Sequence, residues 1–160
     1  MKKKSRPAEK NAAIDAIDRQ ILRALHTDGR VSFRDLSKSV YLSPNATAER
    51  VRRLQSLGVI RGFHARLDPA FLGLSLQAYI DVKLQPGTSA QSFESAVRKL
   101  SGVMSMAILT GAFDVRLRVV CADQTILGQL IETLRARTGA LETNSTIICR
   151  EVEIWNLEFF

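Results

Sequence analysis

The sequence predicts an α+β chain in two parts. A winged helix-turn-helix spans residues 14–66 and a ferredoxin-like βαββαβ unit spans residues 74–160, with a linker at 67–73 and a flexible basic tail at 1–13. Three observations predict this. Positive charge is concentrated at one end: residues 1–66 carry 15 Lys/Arg against 6 Asp/Glu, and residues 67–160 carry 8 against 10. The basic half has apolar residues at helical spacing, with a capping residue before each run. The other half alternates with period two between helical runs.

The whole chain has 160 residues, of which 46% are apolar and 24% charged, the balance of a folded globular protein. Its longest apolar runs fall well short of the roughly 18 residues that cross a bilayer. Met1 to Pro7 has the basic start of a secretion signal without its apolar region, so a cytoplasmic location is expected. Cys121 and Cys149 both lie in apolar or β-like stretches. They read as reduced core thiols rather than a disulfide scaffold.

In the first half, Ile14, Ile17, Ile21, Leu22 and Leu25 share one helix face. Asp15 and Asp18 fall in its first turns, where a helix dipole favours acids, and Gly29 is placed to close it. Ser32 and Asp35 fit a capping box, with Val31 and Leu36 at the staple positions. The third helix opens with Ser43 as cap and Pro44 at its first position, and Gly58 stops it. Thr47, Val51, Leu54 and Gly58 form a thin seam, while Asn45, Glu49, Arg52 and Ser56 face the other way, with Ala48 and Arg53 at that face's edges and Arg50 flanking the seam. Two short helices joined at Tyr41-Leu42-Ser43, the second basic and outward-facing, suit a major groove. Val59–Leu67 alternates loosely and reads as a strand or wing carrying Arg61 and Arg66. Lys2–Lys10 holds five basic residues against Glu9, either an arm that adds affinity without specificity or a solubility tail.

In the second half, Leu76, Ala78, Ile80, Val82 and Leu84 alternate as a half-buried strand before the Pro86-Gly87 turn. A helix starts near Ser89 and stops at Gly102. Strands follow at 103–110 and 113–120 around a Gly111-Ala112 turn. Asp123 caps a second helix ended by Gly139, and a last strand runs over 143–155. With both helices on one sheet face, the strands still offer apolar groups such as Tyr79, Leu109 and Ile147 on both faces, and an open apolar face points to self-association. Asp81, Lys83, Arg116 and Arg118 also alternate outward, so a polar, solvated face is the alternative.

Leu42-Ser43-Pro44, Glu49 to Leu54, Gly58 to Phe63 and Asp68-Pro69, with Ile17 to Leu22 and Asp28-Gly29-Arg30 before them, closely resemble the Lrp/AsnC family of bacterial and archaeal transcription regulators. The resemblance runs over nearly the whole chain. It implies a partner in double-stranded DNA, and on the outward face of Pro44–Leu57 Asn45 and Arg52 suit reading bases, Glu49 a cytosine contact, and Lys38, Arg53 and Arg61 phosphates. Arg34, Ser43, Ala46 and Ala48 lie in the same surface. It also implies homodimers that build higher oligomers such as octamers, and an effector, an amino acid or related metabolite, at Thr110, Gly111, Ala112, Phe113 and Asp114. Many relatives carry an acid where this chain has Ala112. Four residues by themselves fit a plain hairpin turn better, with Gly111 supplying positive φ and Asp114 bonding backbone.

No nucleophile, metal cluster or phosphate loop stands out: His26 and His64 are isolated, and the cysteines lack zinc spacing. No cofactor, catalytic residue or metal ligand is therefore expected. A haem-precursor decarboxylase class shares the ferredoxin-like architecture, and a ligand-binding or assembly module without DNA binding is a further alternative. The basic face at Arg50–Arg53 has no task in a decarboxylase.

Overall fold

A computed structural model describes residues 14–152 of the chain, which divide into two compact units at the 65/66 boundary. The basic tail lies outside the described residues.

The first unit holds three helices, α1 (Ala16–Thr27), α2 (Phe33–Ser39) and α3 (Pro44–Ser56). Each begins where a side chain takes an otherwise orphaned backbone N–H. Asp15 caps α1 in a reciprocal box with Asp18, Ser32 caps α2 and Ser43 caps α3. At α2, in place of the reciprocal backbone bond of a full box, Ser32 Oγ accepts the Asp35 N–H at 3.1 Å and its hydroxyl donates to the Asp35 carboxylate at 2.7 Å. Ile21, Leu36, Val40, Val51 and Leu54 form the core, ringed by Ile17, Leu25, Val31 and Leu42. Tyr41, at φ 55° and almost fully exposed, makes the turn from α2 into α3. Two expectations change here. α1 ends on Asp28 in an extended conformation, and Gly29 has no left-handed backbone. Among the described residues no strand is assigned over 59–67.

The second unit is a four-stranded antiparallel sheet in the order β2-β3-β1-β4, with β1 (Leu76–Leu84), β2 (Val103–Ile108), β3 (Val115–Cys121) and β4 (Ala140–Ile147). A short 3-10 turn, Pro69–Leu72, precedes β1. Helices α4 (Ala90–Val97) and α5 (Gln124–Arg137) complete the βαββαβ order. Ala78, Ile80 and Val82 of β1 and Val115, Leu117 and Val119 of β3 point to one side and are fully buried against Phe93, Val97, Leu127 and Leu134. Both helices therefore cover the same face.

Strand ends differ from the sequence reading for reasons of pairing. β4 begins at Ala140, which pairs with Leu84 across a bulge, immediately after Gly139 (φ 85°) reverses the chain. Among the described residues it ends at Ile147, paired with Ala78, with Ile148 N–H still bonded to Gln77 O, and positions 153–155 of the expected strand lie outside the described residues. Cys149 is consequently exposed rather than in the core, whereas Cys121 is buried, which pushes its thiol pKa up. The hairpin between β2 and β3 is six residues long, 109–114, and not a two-residue turn. Leu109 N–H to Asp114 O closes it at 2.8 Å, while Asp114 N–H turns instead to Val82 O.

Gly102 (φ 83°) gives a direct test of the sheet. A Cβ there would stand 2.5 Å from Val120 O. Gly102→Ala should lower the unfolding free energy by about 1–3 kcal/mol, seen as a lower urea midpoint at unchanged slope. Gly58→Ala, also at positive φ but with open space around it, should cost only about 1 kcal/mol.

Candidate nucleic-acid interface and ligand loop

α3 presents two unlike faces because only four of its thirteen residues are buried, Ala48 among them. Thr47, Val51 and Leu54 are buried, and the Thr47 hydroxyl is satisfied by Ser43 O at 3.0 Å. Asn45, Glu49, Arg52 and Ser56 are all exposed on the opposite side. Ser43, also exposed, holds the helix start by accepting the Ala46 N–H at 3.2 Å. Ala46 is half-buried. Ala48 is buried, a correction to its expected place in the outward surface: its methyl packs inward beside the Thr47 seam. Arg34, Lys38 and Arg61 are exposed, with Lys38 Nζ 2.8 Å from Asp35.

The other two arginines of α3 are engaged within the unit. Arg50 Nη1 donates to Asp15 Oδ2 at 2.6 Å and to Asp18 Oδ1 at 2.8 Å. Arg53, expected on a phosphate, donates to Asp18 Oδ2 at 2.9 Å, with about half of its side chain exposed. Asp18 is completely buried. Sequence reading treated Asp15 and Asp18 as helix-dipole acids and missed this network. The available signal was position: Asp18 falls four residues after Ile14 and three before Ile21, on the apolar face, where a carboxylate needs a cation. The Asp18 N–H, and next the Arg50 guanidinium, hold the Asp15 carboxyl below its ordinary range.

In the second unit, Gly111 has φ 132° with nothing within 4 Å of its missing side chain. Thr110, Gly111 and Ala112 are exposed, and Phe113 and Asp114 half-buried. Of these five, Asp114 borders a cleft of about 520 Å³ whose walls include Lys83, Leu84, Pro86, Ile108 and Leu109. The Asp114 carboxylate accepts the Leu84 N–H at 2.8 Å, and Lys83 Nζ stands 3.5 Å away. That N–H, ahead of the Lys83 charge, lowers the Asp114 pKa. Lys83 is the cation that sequence reading did not place beside the loop.

The helix-free sheet face is charged, which overturns the apolar face expected from Tyr79, Leu109 and Ile147. Arg116 makes a two-point pair with Asp81 (2.7 and 2.9 Å) and lies 5.3 Å from the centre of the Tyr79 ring. Arg118 bonds Gln77 at 3.1 Å and pairs with Glu151. Ile147 shares the helix-side parity of Ala78 instead.

Two family models match. Residues 14–55 fit the AsnC-type helix-turn-helix domain, and residues 77–154 fit the Lrp/AsnC ligand binding domain. A leucine-responsive regulatory protein of Klebsiella pneumoniae is 38% identical over 143 residues, 88% of this chain and 87% of that one. The chain belongs to the Lrp/AsnC family. This Lrp/AsnC protein is also similar in structure to a transcriptional regulator of Neisseria meningitidis in complex with L-methionine: TM-score 0.83, 30% identity, 91% of this chain and 98% of that one. A feast or famine regulatory protein of M. tuberculosis, complexed with L-methionine, gives TM-score 0.82 at 30% identity, over 88% and 95% of the two chains. The family is one of transcription regulators, which sets aside the decarboxylase alternative. The helix-turn-helix of α2 and α3 is thus the DNA-binding element of a regulator. Among the described residues no helix is long and apolar enough to cross a membrane.

The Asp81–Arg116 pair makes a pH prediction. Arg116 holds the Asp81 carboxyl below 3.8 in the folded chain. A depressed folded pKa supplies stability that is complete above the unfolded value and is lost as pH falls through the folded one. Arg116→Gln should therefore be less stable than wild type at neutral pH, and the two urea midpoints should converge as pH drops below 3.8. A gap that stays constant into acid would place the effect elsewhere.

Proposed function

We propose that residues 14–66 read operator DNA through the exposed face of α3, while residues 74–160 assemble the protein and sense an amino acid. The observation that carries the reading is the division of α3. Its seam is spent on the core, and Asn45, Glu49 and Arg52 project from a helix whose capped N-terminus leads. Arg52 and Asn45 suit guanine and adenine edges, and Glu49 suits the cytosine amino group. Lys38, Arg34 and Arg61 supply phosphate contacts that position without specifying. The tail at 1–13 adds charge to the same end of the chain.

The effector contact is assigned to Thr110–Asp114 together with Lys83. The L-methionine complexes of two similar proteins support an amino acid. Gly111 leaves room for close backbone approach, Lys83 attracts a carboxylate, and Asp114 stands where Ala112 offers an amine no charge. Two similar half-sites need two protomers, so a homodimer is the smallest competent unit, with higher assembly such as an octamer beyond it. Edge strands β2 and β4 carry exposed Met104, Ile108, Leu141 and Ile147 toward such contacts. The protein acts in the cytoplasm, on DNA.

Arg52→Ala should cost roughly 1–3 kcal/mol at an operator and relax specificity at one base position. Lys38→Gln should weaken all duplexes equally and lower the salt slope by about 1. Titration of both duplex types at several salt concentrations separates the two roles. If Arg52→Ala binds like wild type, α3 does not read the DNA.

Sedimentation with and without L-methionine tests the second unit. Wild type should sediment as a dimer or larger and should shift its assembly or DNA affinity on adding the amino acid. Gly111→Val should abolish that shift while keeping ligand-free DNA binding. A full response in the variant would move the site away from the loop.

A further inference from the structure

Three arginines crowd α3 within four positions, yet the structure treats them differently. Arg52 is exposed, whereas Arg50 and Arg53 are bonded to α1. Asp18 spends one carboxylate oxygen on each, 2.8 Å from Arg50 and 2.9 Å from Arg53, and has no exposed surface. Asp15 takes Arg50 a second time, at 2.6 Å.

We propose that Asp18 is a specificity-determining positioning residue, whose buried carboxylate withholds Arg50 and Arg53 from DNA and fixes the roll of α3, so that Arg52 alone of the three faces the groove. The proposal rests on the reading of α3 as the DNA-contacting helix.

Two physical arguments support it. A guanidinium is attracted to the phosphates of any duplex, so each arginine left available on the helix raises non-specific binding as much as specific binding. A carboxylate inside the protein competes for the same donors and removes that indiscriminate term. The second argument concerns rotation. The buried side of α3 is made of Thr47, Ala48, Val51 and Leu54, and apolar packing of this kind is non-directional. Arg50 and Arg53 stand three residues apart, on adjacent turns, and both converge on one carboxylate that cannot move into solvent. Because successive residues are about 100° apart around the helix, holding positions 50 and 53 aims position 52.

The full chain is titrated with two duplexes of equal length: an operator enriched from a random pool by the wild-type chain, and its scrambled sequence. Asp18→Asn keeps the shape and removes the charge. It should steepen the salt slope on scrambled DNA by about 1 and reduce the operator-to-scrambled ratio about tenfold, the size of one lost base contact. Arg53→Gln should leave the slope on scrambled DNA unchanged. The proposal is overturned if Arg53→Gln lowers that slope by about 1, as a phosphate contact would, or if folded Asp18→Asn keeps wild-type slope and ratio. Should circular dichroism show Asp18→Asn unfolded, the Arg53→Gln slope decides alone. Arg52→Ala separates this proposal from its foundation: an unchanged ratio there removes the reading of α3 itself, whatever Asp18 does.

Discussion

A carboxylate with no exposed surface must find cations, and in this chain that requirement ties α1 to α3. An unpaired charge at Asp18 would cost several kcal/mol, far more than a short helical unit can absorb. Arg50 and Arg53 answer it from 32 and 35 positions downstream. The pairing does more than offset desolvation, because ion pairs have direction where apolar contacts do not. Ile21, Val51 and Leu54 would tolerate some rotation of α3, but two guanidinium groups on one carboxylate tolerate far less. The same acid helps shape the start of α1, since Asp15 and Asp18 exchange backbone bonds in a reciprocal cap. One residue thus links helix initiation, helix packing and the charge displayed by the surface.

The second unit solves a comparable problem with backbone. The β1 ladder to β4 breaks at a bulge between Lys83 and Leu84, and the Leu84 N–H goes to the Asp114 carboxylate. That bond sets the length of the 109–114 loop, brings Lys83 beside it and opens the cleft against Ile108 and Pro86. The free sheet face follows from alternation: once Ala78, Ile80 and Val82 are committed to the helices, Tyr79 and Asp81 must point the other way. Asp81 and Arg116 sit directly opposite in the register, so they pair, and the guanidinium rests over the Tyr79 ring.

What was legible in the sequence was what is encoded locally. Ser32, Ser43 and Asp123 each cap the helix that follows, and the period-two run at 76–84 forms β1. What was not legible depends on a distant partner. β4 finds its partner far back in the chain: its final paired residue, Ile147, sits opposite Ala78, 69 positions earlier. The loop length is set by Asp114 reaching across to Leu84. Arg53 looked like one more outward cation because its partner lies in another helix. The wing-like stretch at 59–67 has the alternation of a strand, yet among the described residues no strand is assigned there. Of the site, the exposed row Asn45, Glu49 and Arg52 was readable from helical period alone, and Ala48 missed by one edge of the same wheel.

The central claim is that α3 displays Arg52 to DNA while its other two arginines serve the fold. Arginine modification by phenylglyoxal, read residue by residue by mass spectrometry with and without operator duplex, tests it most directly. The account predicts that Arg52 is reactive in the free protein and protected on DNA, while Arg50 and Arg53 react slowly in both states. Equal reactivity of Arg52 with and without the duplex, or fast reaction of Arg50 and Arg53 that only DNA suppresses, would contradict it.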